Sequence, residues 1–185
     1  MVDRIQKRRR VYNVPGHVHY LTYSCNDRLP LLSKDRTRDW VIETVRTAHA
    51  RHAFDLYAYV IMPEHVHLAL RPRWPGDDVS RILYDLKRPV SVKAKRWLQQ
   101  TGEAEWLRRL SARHGQRKVF HFWQPGGGYD KNVWQERAIT EIIDYIHANP
   151  VRRGLVERPT DWPWSSARYW AGMGQVLLEM DPVPV

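Results

Sequence analysis

Cysteine is almost absent from the 185-residue chain, in which Cys25 is the only one. A single thiol cannot form an internal disulfide, and it excludes a cysteine-rich zinc cluster such as a zinc finger. Long apolar runs are missing too, because no stretch approaches the roughly 18 apolar residues of a membrane helix. The basic segment from Met1 to Arg10 is not followed by the apolar run of a signal peptide. These absences predict a cytoplasmic protein with no membrane partner.

Acidic residues are scarce relative to basic ones. The chain has 30 Lys and Arg against 20 Asp and Glu, a net charge of +10 and a pI near 10.0. This excess favours a polyanionic partner, and nucleic acid rather than a membrane because no basic helix has a clean apolar face. Nine Trp and nine Tyr accompany the arginines, a mixture that suits unstacked bases. A basic protein with a Trp-rich core would have the same composition, so these counts alone name no chemistry.

The hydrophobic pattern predicts an α+β domain. Strands are predicted at 17–25, 54–61, 65–71 and 119–124, and helices at 34–51, 79–100 and 135–147. This order describes a ferredoxin-like sandwich, an antiparallel sheet with helices on one face, to which a C-terminal helix is appended. We expect the other face of the sheet to be free for binding. Pro89 predicts a kink or restart in its helix, and Asn149-Pro150 predicts the end of the last helix.

The chain is expected to divide into an arm, a domain and a tail. Residues 1–12 are predicted to form a basic arm, residues 13–170 one domain, and residues 171–185 an irregular tail. Within the domain, residues 101–118 are polar and very basic, which predicts a partly helical insertion of open role. Three consecutive glycines at 126–128 predict a flexible loop.

The sharpest chemical feature is His65-Val66-His67 in the third predicted strand. Alternate side chains of a strand face the same way, so both histidines share a face with Ala69. Two imidazoles about 7 Å apart along a strand can ligate one divalent metal ion. A histidine-triad nucleotide hydrolase would need a third His at Ala69, and a metallo-β-lactamase-type site would need Asp and His soon after. Two exposed histidines without a function remain the alternative.

A second pair, His17 and His19, has the same spacing in the first predicted strand. In a ferredoxin-like sheet this strand neighbours the third one. We interpret the pair as surface or DNA-facing residues, and whether one of them approaches a metal stays open.

The C-terminal helix offers one tyrosine to its side. Its buried stripe is predicted to consist of Ile139, Ile142, Ile143 and Ile146. At about 100° per residue, Tyr145 lies about 120° from the centre of that stripe, and Asn149 follows one turn later. Such a tyrosine either shields the edge of the core or presents its phenol for chemistry, and the helix alone does not decide between them.

Three motif segments occur in order along the chain. Residues 62–68 are MPEHVHL, residues 145–156 are YIHANPVRRGLV, and residues 161–167 are DWPWSSA. In this combination they resemble the insertion-sequence-200-like, single-tyrosine transposases of the HUH type, and most closely the branch of REP-associated tyrosine transposases. The resemblance covers residues from about 12 to 170.

This resemblance implies a ferredoxin-like palm and a set of roles. It implies that His65 and His67 bind Mg²⁺ or Mn²⁺, that Asn149 completes the metal site, and that Tyr145 is the nucleophile. The implied activity is metal-dependent cleavage and rejoining of single-stranded DNA that carries palindromic hairpins, through a 5′-phosphotyrosine intermediate. The alternative is a domesticated hairpin-binding protein that has lost catalysis. Related transposases include dimers that share active sites, whereas the REP-associated branch includes monomers. A monomer is therefore expected, and a dimer stays open.

Basic residues near these motifs are the candidates for DNA contact. They are Arg152, Arg153, Arg158, Lys131 and, in the arm, Arg8, Arg9 and Arg10. Arg152 and Arg153 follow Asn149 closely, so we expect them to hold the strand that is cut. The insertion, with Arg108, Arg109, Arg113 and Arg117, could hold the hairpin instead. It is longer than in compact relatives, and the glycines at 126–128 replace bulkier residues.

Overall fold

The computed structural model describes residues 13–74, 78–174 and 176–183, apart from the side chain of His114. The candidate DNA-binding residues Arg8, Arg9 and Arg10 therefore lie outside the described residues. The strands are β1 Val18–Ser24, β2 Phe54–Ile61, β3 His65–Pro72, β4 Ser111–His114, β5 Arg117–Phe120 and β6 Tyr129–Val133. The helices are α1 Asp35–His52, α2 Val79–Gln100, α3 Ala104–Arg109, α4 Glu136–Arg152 and α5 Ala167–Trp170.

Four antiparallel strands form the main sheet in the order β2-β3-β1-β6. With β6 as the fourth strand, this is the strand order of a ferredoxin-like sandwich, and the predicted α+β class is confirmed. The register pairs Thr22 with His67 and Tyr20 with Ala69 on the central strands. Because directly paired residues of an antiparallel sheet share a face, Tyr20, Thr22 and His67 project from the same side.

Helices α1 and α2 cover one face of this sheet. The apolar set of β3, Val66, Leu68 and Leu70, is buried with them, as the alternation predicted. Helix α1 buries Val41, Val45 and Ala48, and α2 buries Ile82, Leu83, Leu86, Val90 and Ala94. Helix α2 continues through Pro89 from Val79 to Gln100, so the predicted restart does not occur.

The second face of the sheet is not free, and that prediction was wrong. Helix α4 packs there, and its four buried isoleucines join Tyr57, Val60 and Ala69 in a second core. The physical reason lies in both partners: the isoleucine stripe must be buried somewhere, and this face of the sheet carries apolar residues that can receive it. His67 is therefore buried beside α4 rather than standing on an open surface.

The fourth strand of the sheet lies at Tyr129–Val133 and not at residues 119–124 as predicted. Phe122 and Trp123 give the earlier segment its strand-like pattern, but they insert as irregular chain into the core under the helices. Strand β6 was not predicted from the hydrophobic pattern because it is an edge strand with mostly polar residues. Its hydrogen bonds to β1, rather than its side chains, determine its place.

Helix α4 also runs further than predicted, through Pro150 to Arg152. Pro150 has no N–H, so the carbonyl of Ile146 lacks its helical donor. The side-chain amide of Asn149 donates to that carbonyl at 3.4 Å and to the carbonyl of Tyr145 at 2.7 Å. The predicted end was wrong because this local bond compensates for the proline.

The insertion and the tail both have defined places. The insertion consists of α3 and the β4-β5 hairpin, a separate two-stranded sheet. The irregular tail buries Leu178 and Met180 in the core under the helices, and Asp181 bonds the backbone of Leu56 from both its amide and its carboxylate. Within the described residues, no helix is long and apolar enough to cross a membrane.

Candidate active site

His65 and His67 project from β3 with their rings nearly perpendicular. The two Nε2 atoms are 2.9 Å apart, and the ring centroids are 4.6 Å apart. His67 is buried, whereas His65 keeps partial exposure. The pair therefore directs two ring nitrogens at one point near the surface.

The partners of the other ring nitrogens bear on whether this pair suits a metal ion. Nδ1 of His67 lies 2.7 Å from Thr22 Oγ1 and 2.9 Å from the Tyr20 hydroxyl. Nδ1 of His65 lies 3.3 Å from a carboxylate oxygen of Glu64. With the proton on each Nδ1, both Nε2 atoms direct lone pairs at each other, an arrangement that a cation between them would relieve. A carboxylate behind a ligating histidine is the usual support of a metal site.

The protonation states fit the same interpretation. Burial, with a contribution from the neighbouring His65, lowers the pKa of His67 to about 3. Burial also lowers the pKa of His65, against the opposing effect of the Glu64 carboxylate. Both imidazoles are therefore neutral near pH 7, which is the form that binds metals.

Tyr145 lies beside this pair, on the side of α4 that the helical position predicted to lie outside the isoleucine stripe. Its ring is 6.1 Å from the ring of His67 and 6.0 Å from that of Tyr20, edge-on to both. The side chain is 41% exposed, so a substrate can reach the phenol. The guanidinium carbon of Arg152 lies 4.8 Å from the centre of the Tyr145 ring.

The last turn of α4 is tied to the histidines through Glu64. The buried Glu64 carboxylate contacts His65 Nδ1 and also accepts an ion-pair contact of 3.0 Å from Arg153 Nη2. Asn149 is buried one turn beyond Tyr145 with its amide nitrogen bonded to its own helix. Its Oδ1 is the atom that could ligate a metal. Among the described residues no cluster of three or more His, Cys, Asp or Glu could hold one, and this amide stays the predicted third ligand.

The other histidine pair does not join the site. His19 points to the opposite face of the sheet from His67, because it alternates with Tyr20 on β1, and its Nδ1 contacts Asp130 Oδ1 at 2.9 Å. It is buried rather than on the surface, which corrects that interpretation. His17 stacks on Trp134 with ring centroids 5.0 Å apart.

The structure brings some of the DNA-binding candidates to the site and not others. Lys131 is exposed on β6 opposite Tyr20, so it shares the face of His67. Arg152 and Arg153 lie at the site, but the first covers the Tyr145 ring and the second is paired with Glu64. Arg158 forms a two-pronged contact with Asp161 at 3.1 and 3.2 Å, which offsets its charge.

Three site residues were missed from the sequence: Tyr20, Thr22 and Glu64. The first two alternate on β1, the neighbour of the histidine strand, so the predicted topology contained the signal for them. Glu64 was part of a quoted motif, but nothing in the sequence pointed to its double contact with His65 and Arg153.

Comparison with known proteins gives the family context. No protein-family model matches the chain. The chain is 26% identical over 144 residues to a REP-associated tyrosine transposase of Haemophilus influenzae, covering 74% of this chain and 76% of the relative. It is 26% identical over 157 residues to the REP-associated tyrosine transposase of Escherichia coli K12, covering 85% and 80%.

A solved structure shares the fold. It is that of a REP-associated tyrosine transposase bound to a REP hairpin, with a TM-score of 0.68 and 20% identity, covering 97% of this chain and 95% of the other. At this identity the match supports the architecture, in agreement with the strand order derived above. Both curated relatives are REP-associated tyrosine transposases, so the chain is similar to this family in sequence and has the same fold as a member of known structure.

Proposed function

We propose that this protein is a transposase that cleaves and rejoins single-stranded DNA next to a hairpin, with Tyr145 as nucleophile and a divalent cation held by His65 and His67. The observation that carries the proposal is the exposed phenol of Tyr145 beside the converging Nε2 atoms of the histidine pair. A hairpin substrate is supported by the family, since the relative of known structure is bound to a REP hairpin.

The residues present suit such a cation. His65 and His67 would hold it through Nε2, and Asn149 Oδ1 is the candidate third ligand. Mg²⁺ or Mn²⁺ is what the family implies, although imidazole ligands accept other divalent metals as well. When bound, the cation would polarise the scissile phosphate and lower the cost of negative charge on the attacking oxygen.

Tyr145 would carry out the covalent step. A free phenol with a pKa near 10 is only about one part in a thousand ionised at neutral pH, so the site must favour the phenolate as it forms. Arg152 lies over the ring and supplies positive charge there. The phenolate oxygen attacks phosphorus, the bond from phosphorus to the 3′ oxygen breaks, and that oxygen leaves as a 3′-hydroxyl. The 5′-phosphotyrosine keeps the bond energy, so another 3′-hydroxyl can reverse the step without ATP.

The nucleophile test uses two exposed tyrosines of the same face. Tyr145→Phe should bind a single-stranded hairpin as well as the wild type does, yet form no covalent adduct with Mn²⁺ on a denaturing gel. Tyr129→Phe is the matched control and should still form the adduct, since the Tyr129 ring lies against Tyr20. A 5′-linked adduct with the Tyr145 variant would refute the assignment.

The metal test uses the histidine pair. The His65→Ala, His67→Ala double variant should lose both Mn²⁺ binding in calorimetry and cleavage, while hairpin affinity without metal persists. Equal heats for variant and wild type would remove the pair from the metal site.

The contact of Tyr145 with His67 of its own chain supports a site completed within one protomer. Mixing the Tyr145→Phe protein with the double-histidine variant should therefore not restore adduct formation. Restored activity would mean that the nucleophile is supplied by a second chain.

A further inference from the structure

A long groove runs between α2 and the segment that leads into β6. One wall is a stripe of α2 with helical spacing, from Ser80 to Ser91, and the other is the segment Val119–Asp130. Exposed aromatic and apolar side chains line it: Tyr84 is 59% exposed, Tyr129 43% and Val119 37%. The groove thus presents flat rings to solvent along a channel, which is unusual for a surface with no partner.

The charge of the groove is positive. Arg88 is exposed with its guanidinium carbon 5.8 Å from the Tyr84 ring, and it has no ion-pair partner within the described part of the chain. Lys87 lies in the floor and donates to the carbonyls of Gln124 and Gly126, which fixes the glycine loop to α2. Asp130 is the single carboxylate among the lining residues, and one of its oxygens contacts His19.

That carboxylate also has an unfilled acceptor. The second oxygen of Asp130 is buried and has no hydrogen-bond partner among the residues that the structure describes. A buried acceptor without a donor is costly. The amino group of a base is a donor of the right kind for it.

The groove meets the candidate active site at the edge strand β6, where Asp130 projects to the face of His19 and Tyr129 to the face of His67. Tyr129 lines it and also packs edge-on against Tyr20 at 5.7 Å, and the Tyr20 hydroxyl contacts His67. At the other end the lining begins at Val119 of β5, so the groove starts at the basic hairpin of the insertion. A strand leaving the histidine pair would therefore cross the edge strand β6 at Tyr129 to enter the positively charged groove.

We propose that this groove binds the single-stranded DNA that flanks the hairpin, with bases stacked on Tyr84 and Tyr129 and Arg88 contacting the backbone. This rests on the proposed function, because it assumes that DNA crosses the site at His67. Stacking on aromatic rings tolerates any base, whereas Arg88 and the arginines of the insertion neutralise phosphates. On this proposal, the insertion contacts the part of the single-stranded DNA that lies furthest from the histidine pair.

The test compares one hairpin in two forms, blunt and with a long single-stranded extension on either side. Tyr84→Ala should weaken binding of the extended hairpin roughly tenfold and leave the blunt hairpin unchanged. Arg88→Gln should flatten the log–log salt dependence for the extended hairpin by about 0.7. Tyr169→Ala is the control, since this tyrosine is also exposed but lies outside the groove, and it should affect neither form.

A second measurement does not depend on affinity. An extension carrying 5-iodouracil should, on illumination, cross-link to Tyr84 or Tyr129 in peptide mapping. Cross-links confined to other surfaces, or unchanged affinity of both groove variants for the extended hairpin, would overturn the proposal. If the wild type forms the covalent adduct in that case, the proposed function stands without the groove. If the variants lose flank affinity but the wild type forms no adduct, the groove stands and the catalytic proposal fails.

Discussion

Replacing Glu64 by Gln would test whether the carboxylate behind His65 supports the proposed metal site. In the folded protein Glu64 is buried and contacts two cationic or potentially cationic groups, His65 Nδ1 at 3.3 Å and Arg153 Nη2 at 3.0 Å. The side-chain amide of the Glu64→Gln variant would keep an acceptor oxygen of nearly the same shape but lose the negative charge. We expect His65 to remain oriented and to become a poorer electron donor.

The size of the effect follows from these contacts. Loss of an outer partner of a metal-ligating histidine weakens metal binding by about 10- to 100-fold, which is about 1.4 to 2.7 kcal/mol. Because Gln retains the acceptor, we expect the lower end of this range. The free energy of unfolding should change by less than about 1 kcal/mol, since the Arg153 side chain is 56% exposed and water screens the ion pair.

Calorimetry with Mn²⁺ measures the affinity, and urea unfolding measures the stability. Glu141→Gln is the matched control, because Glu141 also accepts from an arginine, Arg137, at 3.0 Å but on the exposed surface of α4. Equal Mn²⁺ affinity for Glu64→Gln and wild type, or an equal loss in both variants, would refute the reasoning. Absence of Mn²⁺ binding in the wild type would instead count against the metal site itself.

Three further outcomes are expected. Arg152→Ala should reduce the slope of log affinity against log salt for hairpin binding by nearly one unit. Arg153→Ala should reduce the slope less, because Glu64 holds that side chain. Equal reductions for the two variants would contradict this. Gly128→Ala should lower the free energy of unfolding by about 1 to 3 kcal/mol, because its φ is +78° and an added Cβ would meet the Thr22 carbonyl, whereas Gly127→Ala should be neutral since its Cβ meets nothing. Burial lowers the pKa of His147 to about 4, so between about pH 6.5 and 4 the unfolded state binds a proton that the folded state does not. The free energy of unfolding should therefore fall by up to about 1.4 kcal/mol per pH unit as the pH drops through this range. Urea midpoints measured across the range should fall less steeply for His147→Asn.

Much of the fold could be predicted because its central elements have clean periodicity. The hairpin of β2 and β3 and the two helices that cover it follow directly from alternating and helical apolar patterns. The fourth strand could not be predicted in the same way, since only Val133 of β6 is buried. The fourth strand was instead predicted around Phe122 and Trp123, because irregular chain that fills a core has the same apolar composition as a strand.

The candidate site could likewise be predicted where it depends on local pattern and not where it depends on tertiary packing. His65 and His67 were identified by strand alternation, and the exposure of Tyr145 by helical position. Neither argument could show that the second face of the sheet is occupied, and so that His67 is buried under α4. That required knowing where the isoleucine stripe is buried, which is a question of tertiary packing rather than of local pattern.

Helix α4 connects the fold to the proposed chemistry through its last two turns. Its isoleucines fix the helix on the sheet, which leaves Tyr145 at the side that faces His67. Had the helix ended at Asn149, as the following proline suggested, no regular backbone would carry Arg152 and Arg153 back towards the site. Because the Asn149 amide fills the bond that Pro150 cannot make, the helix continues, and one arginine reaches the Tyr145 ring while the next is held at Glu64. The end of one helix thus fixes both Tyr145 and the residues behind the histidine pair, so a substitution that shortens α4 should impair the proposed catalysis without changing Tyr145 or either histidine.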